Sequence, residues 1–534
     1  MKNILYVTAL CSLLFSSCDS FLEEDLREEM APDNTYTTTQ GFEVGVTGLY
    51  NYARWEFQTW NEGPAPHGAV PYEIFQVGLD IATRGHTEGT LTAFEDYTMS
   101  SNTSYVKSYW KWAYGMIGAA NLLMEYSENK DVRWDKPTDK EGYQAEIRFF
   151  RAYAYRYLVY LYGDVPWVDK VMKDFKIDFT RTPKEEVLAH VIEDLKYAES
   201  ILPADPDQVK EGRLTTWAAK HMLSEIYLMA GMYKESEAKA KEVIDAPYYA
   251  LVSERFGTQK DKPGDCFADM FLEGNQNRSA GNREAIWNIQ FEYNELGGGG
   301  SMGDWTKRAW VPKYWQVSGF ILADSLGGRG LAQLVAFEHI FDWYDKGDMR
   351  NSEYNVRHDW YYNDPAVPEL YGKKVEASKK QWDMWRKAGE LCAVTTKFNF
   401  SRNADDPGYG GNNKDRIKFR LAETYLLRAE AMIRLGNQEE AAKMMNVVRA
   451  RANAKPVTAS DATMDFLLDE RTRELLGEEL RHFTLVRTGK MVERVKKYNP
   501  ISGLVIKPHH VLWPIPQDVI DANTGAKFEQ NDGY

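Results

Sequence analysis

Trp305, Trp310, Tyr314 and Trp315 crowd one short segment, directly after the glycine run Gly297–Gly300. Their spacing follows neither the helical nor the strand period. Two readings account for them. Either they form a small satellite core beneath a loop, or they present flat apolar faces to a ligand. A flat ring suits the C–H face of a sugar, with neighbouring Asp, Asn and Arg side chains left to bind the hydroxyls.

Catalytic chemistry finds less support. The nine histidines are dispersed, with His509-His510 as the one adjacent pair, which reads as a polar turn. No HExxH, phosphate-binding loop, GxSxG or EF-hand spacing occurs. A glycoside hydrolase needs only two carboxylates ~5–10 Å apart in space, and chain spacing does not reveal such a pair. Glu478-Glu479 and Asp405-Asp406 read most simply as solvated faces. Glu470 to Glu479, with Arg471, Arg473, Arg481 and Arg487, reads as a charged helix hairpin held by intrahelical ion pairs. No catalytic residue and no metal ligand is assigned. No spacing demands a cofactor, and a structural calcium in the aromatic-rich region is left open.

Composition narrows the classes. A net charge of −14 argues against a nucleic-acid partner, which needs a basic face. Aromatic residues make up 13% of the chain, more than a core alone explains. Cys11 and Cys18 fall near the start, leaving Cys266 and Cys392 with no zinc-like spacing. A disulfide between those two stays open, since spacing does not fix geometry.

The elements that must position these residues are mainly helical. Met1–Phe15 has a short positive start and an apolar run too short to span a bilayer, so residues 1–17 read as a signal peptide. Residues 18–40 read as a tether. One domain follows, 41–534, with helix pairs over about 41–245 and 414–500 and a loop-rich insertion over about 246–413 carrying a few short strands. From Phe149 to Tyr162 the only charges are Arg151 and Arg156, so this helix is apolar nearly all round and must be buried. Its arginines need acids on neighbouring helices. Gly163 ends it and Pro166 keeps the exit extended. Thr182-Pro183-Lys184-Glu185 predicts the next helix start, with Thr182 as cap. Around Gly231 and again around Gly436, large and small residues alternate as in tetratricopeptide repeats. The two glycines are 205 positions apart, which argues against a continuous solenoid.

Several stretches resemble one family. Tyr157-Leu158-Val159 followed by Tyr162-Gly163-Asp164-Val165-Pro166, the segments 420–454 and 471–489, and the ending Pro514-Ile515-Pro516 with Gln530-Asn531-Asp532-Gly533-Tyr534 are similar to the signatures of SusD/RagB proteins. Ser16-Ser17-Cys18 resembles a lipobox, which makes Cys18 the expected acylation site, and Asp19, Glu23, Glu24 and Asp25 resemble the acidic export tag that follows. The resemblance implies a mainly α fold of tetratricopeptide-like pairs with a ligand-binding insertion. It implies a lipid-anchored protein on the outer-membrane surface of Bacteroidetes, partnered by a SusC-like TonB-dependent transporter and binding oligosaccharides. It also adds Trp60, Asp80, Arg84 and Asn102, from the early loops, to the ligand-binding set with Trp305, Trp310, Tyr314 and Trp315. The expected function is glycan capture for import without catalysis. A peptide receptor on the same scaffold, a surface glycoside hydrolase and a structural adaptor are the alternatives.

Overall fold

The computed structural model describes residues 31–58, 71–85, 89–293, 295, 297–299, 303–400 and 408–534. Its longer helices are α1 (Thr39–Arg54), α2 (Ser104–Ser127), α3 (Asp139–Tyr162), α4 (Lys184–Ile201), α5 (Thr216–Met229), α6 (Tyr233–Ile244), α7 (Lys379–Ala388), α8 (Leu421–Arg434), α9 (Gln438–Arg451), α10 (Met464–Leu475), α11 (Arg481–Thr488) and α12 (Met491–Tyr498). Strands are few and short: β1 (Ala82–Thr83), β2 (Ala285–Ile289), β3 (Val335–Ala336), β4 (Val356–Arg357), β5 (Val394–Thr395) and β6 (Arg416–Arg420).

Helix α3 is the centre. Every side chain from Phe149 to Tyr162 is buried, packed between α2 and α4. Its arginines find the partners that burial demands. Arg151 grips Asp194 of α4 with two bonds of 2.7 and 2.8 Å and reaches Asn121 of α2 at 3.0 Å. Arg156 holds Glu225 of α5 at 3.0 Å through two nitrogens. Planar, two-pronged pairs of this kind fix the rotation of one helix against the next.

The end of α3 is sealed from far along the chain. The last carbonyls of a helix have no partner within it. Here Trp513 donates its backbone N–H to the Leu161 carbonyl at 2.6 Å, and the Asn531 amide donates to the Tyr162 carbonyl at 3.0 Å. Asn531 in turn accepts from Arg181 at 2.6 Å, and Gln530 clasps the Ile515 backbone on both sides. The Gln-Asn-x-Gly-Tyr ending is therefore a helix cap supplied in space. Asn531→Ala should cost about 1–3 kcal/mol by leaving buried polar groups unpaired, read as a lower urea midpoint with unchanged slope.

The start of α4 differs from the sequence expectation. Thr182 is not its cap: the Thr182 hydroxyl accepts from Trp167 N at 3.2 Å, and Asp164 instead accepts from Lys184 N at 2.8 Å. The Gly-Asp-Val-Pro exit of α3 thus caps the next helix. At the two repeat turns, Gly231 and Gly436 have φ of +73° and +76°, with open space around each, so backbone conformation and not crowding requires glycine there.

The repeat pairs also stack despite their separation in sequence. Helix α8 packs on α6 as well as on α9. Leu228 of α5 meets Leu427 and Ala431 of α8, and Arg428 bonds Glu237 of α6 at 2.7 Å. The superhelix therefore continues in space across the insertion. Strands β2 and β6 pair antiparallel at the insertion's neck, with Ala285 opposite Arg420, and β6 runs directly into α8.

The charged segment 470–481 is the largest departure from expectation. Glu470, Glu474 and Glu479 are buried, Glu478 nearly so, and their partners lie mostly on other elements. Glu474 holds Arg420 of β6 at 2.6 Å, Arg350 of the insertion at 3.0 Å, and Arg451 of α9. Glu470 holds Arg350 at 2.7 Å and Arg449 at 2.5 Å, and the Arg473–Glu470 contact is the intrahelical exception. Glu478 holds Lys397 of the insertion at 2.5 Å. These pairs stitch the insertion to the helical scaffold. Cys266 and Cys392 are buried and unpaired, so no disulfide adds to that seam.

Candidate functional site

The aromatic segment 305–315 is a satellite core. Trp305, Trp310 and Tyr314 are buried. Trp305 donates to Gln333 at 3.0 Å, Arg308 lies 4.4 Å over its ring, and the Tyr314 hydroxyl sits 3.0 Å from the Ala323 and Gly328 carbonyls. Tyr314 also packs against Trp360 at 5.6 Å and edge-on against half-buried Trp315 at 5.5 Å. The three buried rings have no open face for a sugar, which corrects the platform reading for them. Trp310→Ala should accordingly destabilise the fold by about 3–5 kcal/mol, measured by denaturant melts, and not act as a ligand-contact loss.

The early-loop residues also divide. Asp80 is fully buried and bonds Arg481 at 2.6 and 2.9 Å and Arg494 at 2.7 Å. Burial alone would raise its carboxyl; the two guanidiniums outweigh that and hold it well below the usual range. It is a structural anchor and not a ligand contact. Asn102 is exposed at the start of α2, away from the cleft described next. Cys18 and Trp60 lie outside the described residues. Of the described members of the set, Arg84 lines the cleft described next.

That cleft measures about 830 Å³. Its lining comes from three regions: Thr83, Arg84 and Glu95 of the early segments; Phe337, Glu338 and His339 with Asp383, Arg386 and Lys387 of the insertion; and Lys496 to Ile501 at the end of α12. Two other clefts lie elsewhere. One of about 850 Å³ lies within the insertion, between Arg255 and Phe400, and one of about 430 Å³ lies between α2 and the segment 518–528.

A column of rings forms part of the first cleft. Phe337 stacks on His339 at 5.4 Å with an 18° tilt, and His339 stacks on Tyr498 at 5.3 Å with 21°. Arg494 closes the far end, 4.8 Å from the Tyr498 centroid. Phe337 ends the column and has no ring on its other face among the described residues. It is half-buried and lines the cleft, so its exposed part can meet an apolar ligand surface. Burial holds the His339 imidazole below its ordinary value, which favours the neutral ring in the middle of the column.

Local structure explains why these rings meet. β1 pairs with β3, Ala82 opposite Ala336, which delivers the early loop beside Phe337. The Phe337 N–H donates to the Ile81 carbonyl at 3.0 Å, and His339 Nε2 lies 3.3 Å from the Asp80 carbonyl. Asn499 donates to the Leu79 carbonyl at 2.8 Å and so brings the end of α12 to the same loop. Helix α7 is capped by Ser378 at its start and stops at Gly389, whose φ is +71°. A β-carbon on Gly389 would sit 2.7 Å from the Gly85 carbonyl oxygen and 2.8 Å from the Ala332 β-carbon. Glycine there lets α7 close onto the early loop beneath the cleft.

The polar lining is largely paired within itself. Arg84 bonds Glu95 at 2.6 Å, and Glu95 also accepts from the Thr83 hydroxyl. Arg386 bonds Asp383 at 2.7 Å and also Glu338. Each carboxylate in the cleft is therefore committed to a guanidinium. Among the described residues, no group of three or more His, Cys, Asp or Glu side chains is placed to hold a metal ion, and no helix is long and apolar enough to cross a membrane.

Comparison with known proteins places this architecture. The SusD family model matches residues 266–534, and a second, described as starch-binding associating with outer membrane, matches residues 71–228. The chain belongs to the SusD family. A SusD-like protein of Formosa agariphila is 24% identical over 96% of this chain and 95% of its own length. The starch-binding protein SusD of Bacteroides thetaiotaomicron is 24% identical over 79% of this chain and 78% of its own. Among solved structures, surface glycan-binding protein A of Bacteroides thetaiotaomicron, in complex with laminarihexaose, superposes with a TM-score of 0.71 at 19% identity, covering 93% of this chain and all of that one. A laminarin-binding SusD-like protein gives 0.67 at 20% identity, covering 92% and 99%. These likenesses carry the SusD fold.

Sequence reasoning missed Phe337, His339 and Tyr498. They come from segments more than 150 positions apart, and no local periodicity marks them. The one available signal was the basic-aromatic run Lys496-Lys497-Tyr498 at a helix end.

Proposed function

We propose that this SusD-family chain captures oligosaccharides at the bacterial surface in the cleft around Phe337 and delivers them to a SusC-type TonB-dependent transporter. Cys18 is the proposed lipid anchor in the outer membrane. The observation that carries the reading is the ring column ending at half-buried Phe337, in a cleft that joins the early loop to the insertion. Related proteins named for laminarin and starch binding support sugars as the ligand class. The chain acts by binding and not by hydrolysis, because Glu95, Glu338 and Asp383 are tied in ion pairs and none is poised to hand a proton to a glycosidic oxygen.

Affinity gel electrophoresis of residues 19–534 against plant, host and microbial polysaccharides tests this, with released reducing ends assayed in parallel. Retardation without release is expected. Phe337→Ala should weaken the retained glycan about tenfold, since one ring face of roughly 60 Å² at about 25 cal/mol/Å² is worth about 1.5 kcal/mol. Its melting temperature should stay near the parent's. Release of reducing ends would make the chain a hydrolase, and retardation unaffected by Phe337→Ala would move the site elsewhere. The transporter partnership predicts that the anchored chain copurifies with an outer-membrane β-barrel.

A further inference from the structure

We infer that the oligosaccharide bound in this cleft is anionic, bearing carboxylate or sulfate groups; the inference rests on the cleft being the glycan site. Five Lys or Arg and three Asp or Glu side chains line it, in a chain whose net charge is −14. The pairing pattern matters more than the count. Arg84 is spent on Glu95, and Arg386 on Glu338 and Asp383. Lys387 of α7 and Lys496 and Lys497 of α12 remain. All three are exposed and none forms an ion pair with a carboxylate among the described residues, though Lys497 is engaged by its neighbour, its ammonium 4.7 Å from the Tyr498 ring centroid. Asp465, whose charge acts on Lys497, is engaged by Lys490 at 3.1 Å and Arg494 at 3.3 Å.

This distribution suits one ligand chemistry. A neutral sugar's hydroxyls both donate and accept, and in this cleft the carboxylate acceptors that would take their protons each already face an arginine. A uronate or sulfated sugar offers only acceptors at its charged group. An ammonium is a compact charge with three rotatable donors, so it accepts such a group in many orientations along a chain. Lys387 and Lys496 stand on two separate elements, α7 and α12, so successive charged residues of one oligosaccharide have a cation on each. The Phe337 face would carry the apolar side of a ring between them.

The test is calorimetric titration of residues 19–534 with oligogalacturonate, a sulfated galactan oligosaccharide, and neutral laminarin and starch oligosaccharides of matched length, at 50 and 500 mM NaCl. The expected result is affinity at least tenfold greater for one of the two anionic ligands, falling at least tenfold at the higher salt as screening shortens the reach of the charges. Which anionic arm wins separates carboxylate from sulfate. Replacing Lys387, Lys496 and Lys497 together by alanine should erase that preference with no change in melting temperature. Replacing all three by arginine should keep it. If a neutral glycan binds as tightly, without salt dependence, and is still lost in Phe337→Ala, the charge inference is overturned and the cleft stands. If no ligand responds to Phe337→Ala or to the lysine variants, both fall.

Discussion

Glu474→Ala is expected to destabilise the chain by about 3–5 kcal/mol, enough to prevent accumulation of folded protein at ordinary growth temperature. The carboxylate is fully buried and serves three guanidiniums, those of Arg350, Arg420 and Arg451. Its removal leaves those cations in a low-dielectric interior with only Glu284, Glu470, Glu478 and Asp348 to share. Well-packed apolar replacement of the whole set would be nearly neutral; deletion of one member is the costly change, because it strands the rest. Glu474→Gln keeps the shape and loses the charge, so it should lie between parent and alanine. The check is a urea melt of all three proteins. An alanine variant within about 1 kcal/mol of the parent would show that the buried pairs are not mutually dependent.

The same carboxylates set an acid limit. Burial works to raise Glu470, but Arg350, Arg473 and Arg449 outweigh it and leave it at about 2, down from 4.5. Asp80, Glu423 and Glu474 are likewise held far below the usual range against burial. A carboxyl whose pKa is lower folded than unfolded adds stability that is fully present above its unfolded value and is lost as pH falls towards its folded one. For Glu470 alone that is on the order of 3 kcal/mol. Asp415, which burial raises to about 6, and Glu146, also raised by burial, run the other way, and the arginine-bound set outweighs them. The fold should therefore hold from about pH 5 to 8 and unfold cooperatively between about pH 4 and 2. Far-ultraviolet circular dichroism against pH measures this; native signal retained at pH 2 would contradict it.

What the sequence revealed follows from what periodicity can encode. Burial of α3 was legible because fourteen successive positions carry two charges, and its arginines announced partners without naming them. The repeat turns were legible from Gly231 and Gly436. The burial of Glu470 to Glu479 was not, because these charges follow ordinary helical spacing and only the return of the insertion, through Arg350 and Lys397, removes them from water. Trp305, Trp310 and Tyr314 carry the same composition whether they face solvent or their own loop, and Gln333, Ala323 and Gly328 decide between the two. The neck of the insertion was half legible: the β-like run 285–291 was evident, but its partner at 416–420 was not.

The cap on α3 has a consequence for the order of synthesis. The carbonyl of Tyr162 accepts from nearby Arg181 at 3.2 Å, but its second donor, Asn531, comes 369 positions later, and the Trp513 donor to Leu161 also lies far downstream. A ribosome adding ~5–20 residues per second needs tens of seconds to span that interval. Throughout it this helix, buried over fourteen successive positions, lacks the C-terminal half of its seal, and Trp513 is missing from the core that surrounds it. The chain thus stays short of its native state until synthesis has passed Asn531.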